Sequence, residues 1–333
     1  RRTRTFIKEN YAKHDERGKY LEFRDGTKSY FPERLPKSVT FPTEKGDQFE
    51  RLYSEEVMDK MAELRLPRYG LIHYISDKLP ELPERDKEII ENLSRAGQRM
   101  MGFCRTNFFK RLDSSGISYL ISLYRHVLRN AIYIYALENK LPLPIGDESN
   151  FTDELLEDQD IENEIFESNN VQLVKKPDDA QFTFSTSPED YLSIARDYYN
   201  SIAGNSNNVR WLDSKYFKRT LKQALKNDCD RLLEIIKLCG VWKAKKDEKL
   251  NTLFQLLNEK HKDEKIIIFT QYSDTAKYIH TQLRRRGITH LECVTGASAN
   301  PTHIVERFSP VSNKVTPVPA DNDQLRVVVS TDV

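Results

Sequence analysis

Cysteine is scarce in this chain of 333 residues, and its few cysteines are scattered: Cys104, Cys229, Cys239 and Cys293. No two of them form a Cys-x-x-Cys pair, and none of the seven histidines stands at metal-ligand spacing with them. Disulfide frameworks and structural zinc sites need such pairs, so the spacing argues against both. The sequence therefore predicts free thiols, no metal site and a reducing compartment, for which the cytoplasm is the simplest choice.

Long apolar runs are missing as well. No stretch approaches the ~20 consecutive apolar residues that a membrane-spanning helix needs. The basic start RRTRTF is not followed by the apolar segment of a signal peptide. We expect no membrane partner.

An excess of charge of one sign is also absent. Lys and Arg number 52 and Asp and Glu number 51, which gives a formal net charge of +1. Any surface that binds nucleic acid must therefore be a local basic patch that acidic residues elsewhere offset. The charge of the whole chain neither supports nor excludes such a partner.

A chain of this length is expected to form about two folding units. It begins without Met and ends inside LRVVVSTDV, an apolar strand with no later element to cover it. We expect it to be a piece of a longer protein.

Residues 1–250 are predicted to form a hairpin followed by helices. In residues 1–45, two aromatic-rich segments flank Asp25 and Gly26, as is typical of a β-hairpin. From residue 46 to 250, apolar residues recur at helical spacing. An acidic stretch near residues 147–170 has no Lys or Arg, and repulsion between like charges predicts a solvated loop there.

The pattern changes in residues 251–333, where strands alternate with helices. The predicted elements are a strand at Ile266–Phe269, a helix at Ser273–Arg286, a strand at His290–Val294, a helix at Pro301–Phe308 and a strand at Leu325–Val329. This alternation indicates a parallel sheet with right-handed crossovers, and its continuous apolar runs predict buried strands. The predicted fold class is α/β: a partial parallel sheet preceded by a large, mainly α-helical region with an N-terminal β-hairpin.

Polar residues follow each of the three predicted strands, in the stretches TQYS, TGAS and STDV. In open parallel sheets, ligands bind beyond the carboxyl ends of the strands. Each stretch alone is equally typical of a helix cap or a turn. Three of them on one sheet favour a site for phosphate.

The order of several segments resembles a known family. KIIIFTQYSDTAKYIHTQLRRRG, VTG, ERFSP and VVVSTDV follow the order of motifs in the second RecA-like lobe of superfamily 2 helicases and translocases. The resemblance is closest to the prokaryotic branch of the Swi/Snf-like group, with RRTR, RLPKSVTFPTEKGDQFERLY and FFKRLDSSGISYLISLYRHVLRN similar to segments around its inter-lobe region. It implies that residues 1–45 end the first lobe, residues 46–250 lie between the lobes, and residues 251–333 form a truncated second lobe.

The resemblance implies a function in double-stranded-DNA translocation, with contacts to the DNA backbone. Thr270 and Gln271 match a strand-ending motif that would contact phosphates, with Tyr272 packing beside them. Thr295 and Gly296 match a second turn that contacts the backbone, where glycine allows close approach.

The same resemblance assigns further positions. Ser330 and Thr331 would contact DNA phosphate, and Asp332 would lie toward the sugar of bound ATP. Lys110 and Arg111 would be either basic contacts to DNA or an element that packs the lobes together.

ATP and Mg²⁺ are implied as cofactors of the complete protein, but this chain has no G-x-x-x-x-G-K-[ST] loop. HDERGK, from His14 to Lys19, imitates an acidic Mg²⁺-binding box, yet no apolar strand precedes it, so it is rejected as a site. The motif that would supply an arginine finger is also absent. The chain by itself is therefore predicted to be inactive as an ATP hydrolase and to hold no catalytic residue.

Two other functions remain open. The helical region could recruit protein partners, which would make the chain a non-catalytic interaction module. An RNA-directed superfamily 2 helicase is a second alternative, although the long helical segment between RRTR and KIIIF argues against it because simple RNA helicases join their lobes by short linkers.

Overall fold

The computed structural model describes residues 4–32, 35–43, 47–145, 172–176, 179–205 and 209–331. The chain divides into two compact units, Arg1–Phe41 and Pro42–Val333. It is mixed α/β, and helices predominate. Within the described ranges, no helix combines the length and the apolar composition needed to cross a bilayer. All four cysteines are free thiols, as their spacing predicts.

The first unit contains a short helix and an antiparallel sheet in the order β1-β2-β3. Its elements are α1 (Arg4–Asn10), β1 (Lys13–Asp15), β2 (Gly18–Glu22) and β3 (Lys28–Tyr30). Between β2 and β3, Gly26 has a φ of 81°, and the carboxylate of Asp25 accepts the backbone N–H of Thr27 at 3.0 Å. The hairpin predicted around Asp25 and Gly26 is confirmed, and β1 adds a strand that was not predicted.

The second unit begins with a helical region. Its helices are α2 (Gln48–Leu52), α3 (Glu55–Ala62), α4 (Glu84–Ser114), α5 (Gly116–Glu138), α6 (Pro188–Asn205) and α7 (Thr220–Cys239). The central helix is α5, which packs against α4, α6 and α7 and buries most of its side chains. A helix that is apolar nearly all round must be buried in this way.

Polar side chains fix the ends of several helices. Asp47 and Ser54 accept N–H groups in the first turns of α2 and α3, which satisfies donors that have no partner inside the helix. The buried carboxylate of Asp228 on α7 accepts the N–H groups of Arg65 (3.0 Å) and Leu66 (2.7 Å). Because Leu66 has a left-handed φ of 52°, these bonds hold a backbone turn that a branched side chain rarely adopts.

Short strands complete the helical region. They are β4 (Leu143–Ile145), β5 (Gln172–Lys176), β6 (Asp179–Thr183), β7 (Arg210–Leu212) and β8 (Trp242–Lys243). Strand β4 pairs with β7, and β6 lies between β5 and β8, all antiparallel. The acidic stretch predicted near residues 147–170 lies outside the described residues.

The last part of the second unit contains the parallel sheet. Its elements are α8 (Glu248–Gln255), β9 (Ile266–Thr270), α9 (Ser273–Arg285), β10 (Leu291–Val294), α10 (Pro301–Phe308) and β11 (Val327–Thr331). The three strands are parallel in the order β10-β11-β9. The predicted alternation of strands and helices is confirmed.

The boundaries of all three strands differ from the prediction, and β10 starts one residue later than predicted, at Leu291. Strand β9 continues to Thr270, and β11 starts and ends two residues later than predicted. The backbone of Ser330 and Thr331 pairs with that of Phe269 and Thr270, so these polar residues lie inside the sheet ladder. Hydrogen bonding between strands, which a local apolar pattern does not encode, sets these ends.

The prediction that every strand is buried is wrong for β9. This strand is at the edge of the sheet, and Ile267 and Phe269 are 48% and 67% exposed. Successive side chains of a strand point to opposite faces, and only one face of β9 is covered within the described part of the chain. The continuous apolar run of β9 therefore belongs to a strand with one exposed face and not to a fully buried strand.

Candidate nucleic-acid interface

The three strand ends singled out by the sequence lie at one edge of the sheet. Ser330 on β11 pairs with Val294 on one side and with Phe269 on the other, and Thr331 pairs with Thr270. Thr295 directly follows Val294. Because neighbouring strands are ~4.8 Å apart, the polar residues of the three ends are spread over roughly 10 Å of this edge.

The predicted residues at this edge differ in how much they are exposed. Gln271 and Gly296 are exposed, Thr270 and Ser330 are half-buried, and Thr295 and Thr331 are buried. The amide of Gln271 and the backbone at Gly296 are therefore its most accessible polar groups. Asp332, predicted to lie near ATP, is outside the described residues.

The turn after β10 is closed by its own hydrogen bonds. The backbone N–H of Thr295 donates to the hydroxyl of Ser298 at 2.9 Å, and the N–H of Ser298 donates to the carbonyl of Thr295 at 3.0 Å. Gly296, between them, has no side chain to block a ligand that approaches the backbone. The backbone of this turn is therefore already fixed before a ligand binds.

A chain of hydroxyl groups connects β9 with α4 and α5. The hydroxyl of Ser114 lies 3.1 Å from that of Thr270 and 2.9 Å from that of Thr275, and Ser118 lies 2.8 Å from Thr275. Each hydroxyl can donate one hydrogen bond and accept others, so the chain can reverse its direction. The orientation of Thr270 thus depends on the end of α4.

Tyr272 and Arg111 are packing residues in this structure, and both are about 5% exposed. The guanidinium of Arg111 lies 4.3 Å from the ring centroid of Tyr272, and the Tyr272 hydroxyl donates to Asn107 at 2.7 Å. Of the two roles considered for Arg111, this geometry favours packing over contact with a ligand, because a phosphate cannot reach a buried guanidinium. Lys110, the neighbouring residue, is exposed.

A buried ion cluster fixes the start of α9. Arg125 donates two hydrogen bonds to Asp274, at 2.6 and 2.8 Å, and Arg111 donates a third at 3.2 Å. Burial raises the pKa of Asp274, but the charges of Arg125 and Arg111 and the hydrogen bond from Arg125 outweigh it, so the pKa lies below its ordinary value. Asp274 is therefore a carboxylate that anchors the loop of Gln271 and Tyr272 to the helical region.

A cavity of about 560 Å³ lies beside this edge of the sheet. We call this cavity the α5 pocket. Its polar lining residues are Lys110, Asp113, Ser114, Ser115, Asp247, Lys249, Thr270, Gln271, Thr275 and Tyr278. Its apolar lining residues are Phe49, Leu250, Leu253, Ile268, Phe269 and Ile279. A cavity of this size with a few polar groups among apolar side chains has the features of a small-molecule site.

Lys249 lies between the pocket and the end of α4. Its ammonium donates to the carbonyl oxygens of Asp113 (2.6 Å) and Ser114 (2.9 Å), which are among the last carbonyls of that helix. Burial lowers the pKa of Lys249, while the carboxylates of Asp247 and Asp113 act in the opposite direction. A cation is thus held at the pocket wall by carbonyl dipoles.

Asp247 and Tyr278 form the deeper polar part of the pocket. The carboxylate of Asp247 caps α8 by accepting the N–H of Leu250 at 3.0 Å and accepts the hydroxyl of Tyr278 at 2.8 Å. Burial raises the pKa of both Asp247 and Tyr278. Because both oxygens of Asp247 already accept hydrogen bonds, the carboxylate is a structural part of the wall.

Several residues of this region were not predicted as site residues, above all Arg125, Asp274 and Lys249. Asp274 follows Ser273 at the start of a helix, where acidic residues are common because the helix N-terminus carries a partial positive charge. Its partner Arg125 lies 149 residues earlier in the sequence. No local signal could have identified this pair.

Comparison with family models, curated proteins and solved structures finds no match to the chain. Within the described residues, no group of three or more His, Cys, Asp and Glu side chains is arranged to hold a metal ion. The geometry of the sheet edge and of the α5 pocket is thus the basis for a functional proposal.

Proposed function

We propose that this chain is part of an ATP-dependent double-stranded-DNA translocase, a helicase-like motor, and that the carboxyl edge of its parallel sheet holds DNA phosphates. The observation that carries the proposal is the common position of Thr270, Gln271, Gly296 and Ser330 at the ends of three adjacent parallel strands. Ligands of open parallel sheets bind at this edge.

The chemistry of the edge suits a backbone phosphate better than a base. Gln271 offers amide N–H groups, Thr270 and Ser330 offer hydroxyl groups, and Gly296 leaves its backbone accessible. Lys110 adds an exposed cation in the lining of the pocket that Thr270 and Gln271 also line. Groups of this kind fix the position of nucleic acid without reading its sequence.

The wider architecture is proposed from the resemblance in the sequence. In this proposal, residues 251–333 are part of a RecA-like lobe, residues 46–250 lie between two lobes, and residues 1–45 end the first lobe. ATP and Mg²⁺ act in the complete motor, where Asp332 contributes near the ATP sugar. In this proposal the chain contributes contacts to the DNA backbone. Hydrolysis of ATP requires a phosphate-binding loop, whose sequence motif this chain does not contain.

Binding of duplex DNA to the 333-residue chain tests the proposal. Fluorescence anisotropy with two labelled duplexes of unrelated sequence, repeated over a range of salt concentrations, should give equal affinities for the two. Each phosphate contact contributes roughly 0.9 to the slope of log affinity against log salt. The variants Lys110→Gln and Gln271→Ala should bind both duplexes more weakly, and Lys110→Gln should lower the salt slope by about 1.

Lys262→Gln is the matched control, because Lys262 is an exposed lysine before the start of β9, at the opposite edge of the sheet. It should leave both affinity and slope unchanged. Equal losses in Lys262→Gln and Lys110→Gln would mean that binding is spread over the surface, which contradicts the proposal. Stronger binding to RNA than to duplex DNA would favour an RNA-directed helicase, and no binding to either would favour a protein-interaction module.

A further inference from the structure

The α5 pocket has a feature that the proposed function does not explain. Ser115 lies in its wall and is only 5% exposed, and its hydroxyl has no hydrogen-bond partner among the described residues. A buried hydroxyl without a partner destabilises the folded state, because it has lost its hydrogen bonds to water. Such a group in the wall of a cavity indicates a partner that enters the cavity.

The position of Ser115 defines the charge of that partner. Ser115 precedes α5, a helix of 23 residues, and makes no side-chain hydrogen bond to cap it. The N-terminus of a helix carries a partial positive charge and unsatisfied N–H donors, which favour an anion. The buried hydroxyl of Ser115 thus lines the pocket next to the N-terminal end of α5.

The charged residues of the pocket point to the same class of ligand. Lys110 and Lys249 form no ion pair with any residue in the described ranges. Lys249 already donates to two carbonyl oxygens, so a bound anion can interact with the ammonium of Lys110 and with the remaining donor of Lys249. The carboxylates are already engaged, since Asp113 accepts the hydroxyl of Tyr53 at 3.1 Å and Asp247 accepts that of Tyr278 at 2.8 Å. The formal charges of the two lysines and the two aspartates cancel, but each carboxylate accepts a tyrosine hydroxyl, whereas neither lysine is ion-paired within the described ranges.

The apolar lining of the pocket favours a ligand that also has an apolar part. The rings of Phe49, Phe269 and Tyr278 and the side chains of Leu250 and Leu253 line it. A volume of about 560 Å³ exceeds what a phosphate ion alone would fill. A flat ring against these side chains would bury apolar surface while its charged group reaches the polar wall.

We infer that the α5 pocket binds a small organic phosphate with an aromatic ring, of which a nucleoside monophosphate is the simplest representative. The phosphate lies at Ser115, Lys110 and Lys249, and the ring lies against Phe49 and Leu253. This inference assigns a small ligand that the proposed function does not include. It holds whether or not the chain binds duplex DNA, although Lys110, Thr270 and Gln271 belong to both sites.

Isothermal titration calorimetry of the full 333-residue chain with AMP tests the inference. We expect saturable binding at one site, with adenosine and inorganic phosphate each binding more weakly than AMP because each lacks one half of the ligand. Ser115→Ala should weaken AMP binding about tenfold, as the loss of one hydrogen bond to a charged group does. It should not lower the unfolding temperature, because its hydroxyl has no partner to lose among the described residues.

Ser273→Ala is the matched control. Ser273 is also buried with an unpartnered hydroxyl and also lies at a helix start, but it is not in the wall of the α5 pocket. This variant should bind AMP as the unmodified chain does. Absence of AMP binding, or equal affinity in Ser115→Ala and the unmodified chain, would overturn the inference. Duplex binding measured on the same three proteins bears only on the proposed function, so the two can fail separately.

Discussion

Arg125 and Asp274 form a bidentate ion pair, with N–O distances of 2.6 and 2.8 Å, in the interior of the second unit. The pair connects the central helix α5 with the start of α9, directly after the predicted DNA-contacting residues Thr270 and Gln271. A guanidinium and a carboxylate in this geometry fix both position and orientation. The sheet edge is therefore held by the helical region, and changes in that region should alter its function.

Removal of the carboxylate should be strongly destabilising. Asp274→Ala removes the carboxylate that pairs with Arg125 and Arg111 in the interior, and breaking a buried pair in this way costs about 3–5 kcal/mol. The free energy of unfolding from urea titration checks this value. Asp197→Ala is the control, because the exposed pair of Arg196 and Asp197 should contribute only ~0–1 kcal/mol.

The contribution of Asp274 should also depend on pH. Its pKa is lowered in the folded protein, so its stabilising effect is complete above the unfolded pKa of about 3.9 and is lost as the pH falls through the folded value. The difference in unfolding free energy between the unmodified chain and Asp274→Asn should therefore be largest at neutral pH and smaller at pH 3. A difference that grows on acidification would contradict this assignment.

Gly116 should not tolerate a side chain. A Cβ at this position would lie 2.4 Å from the ring of Trp242 and 2.7 Å from Cδ1 of Leu52, so Gly116→Ala should destabilise the fold by about 1–3 kcal/mol through overpacking. Gly102 provides the contrast, since it lies in an exposed part of α4 and no neighbouring atom of the described residues is within 4 Å of where its Cβ would be. Gly102→Ala should stabilise the protein by roughly 0.5–1 kcal/mol. Thermal and urea unfolding of the two variants should thus shift in opposite directions.

The parallel sheet could be predicted from sequence because its signals are local. Apolar runs define the strands, Gly287 has a left-handed φ of 91° just after α9, and Pro301 starts α10 after the capping residue Asn300. The order of the strands is not local, and for this reason the exposure of Ile267 on the edge strand β9 was missed.

The site was predictable only in part for the same reason. Polar residues at strand ends can be read from the sequence, and Thr270 and Ser330 do lie at one edge. The contacts that position them come from α4 and α5, as in the bond between Ser114 and Thr270, which are 156 residues apart. Such pairs depend on how whole helices pack, which no local pattern contains.

The stability of the protein should fall as the pH drops below about 6.5, through His126. This side chain is buried, stacks on Tyr69 and lies 3.2 Å from Arg68. Burial lowers the pKa of His126 well below its ordinary value, and the charges of Arg68 and Arg129 lower it further. Below pH ~6.5, His126 takes up a proton in the unfolded chain but not in the folded chain. The contribution of neutral His126 to the free energy of unfolding is therefore complete above pH ~6.5 and falls by up to ~1.4 kcal/mol per pH unit below it.

Urea titrations at pH 7.5 and 5.5 check this dependence against His126→Gln, which keeps a hydrogen-bond acceptor but does not titrate. The unmodified chain should lose about 1 kcal/mol more than the variant on acidification. The pKa of His280 is also lowered by burial, but His280 is present in both proteins, so its contribution cancels. Equal losses in the two proteins would show that His126 is not the titrating group.

The last prediction concerns the hydroxyl of Ser114, which links the helical region to the proposed DNA-binding edge. Ser114→Ala removes the contacts with Thr270 and Thr275, so the Thr270 hydroxyl is free to rotate away from a bound phosphate. We expect a loss of stability of about 1 kcal/mol and a several-fold loss of affinity for duplex DNA, measured by anisotropy on protein that is fully folded at the assay temperature. The affinity loss should be the same for duplexes of different sequence, because the contact is with the backbone. Ser122→Ala removes a hydroxyl whose hydrogen bond among the described residues stays within α5, to the carbonyl of Ser118 at 2.8 Å, and should leave DNA affinity unchanged. If both variants bind DNA as the unmodified chain does, the orientation that Ser114 gives to Thr270 does not contribute to DNA binding. The helical region would then support the fold without affecting the DNA affinity of the sheet edge.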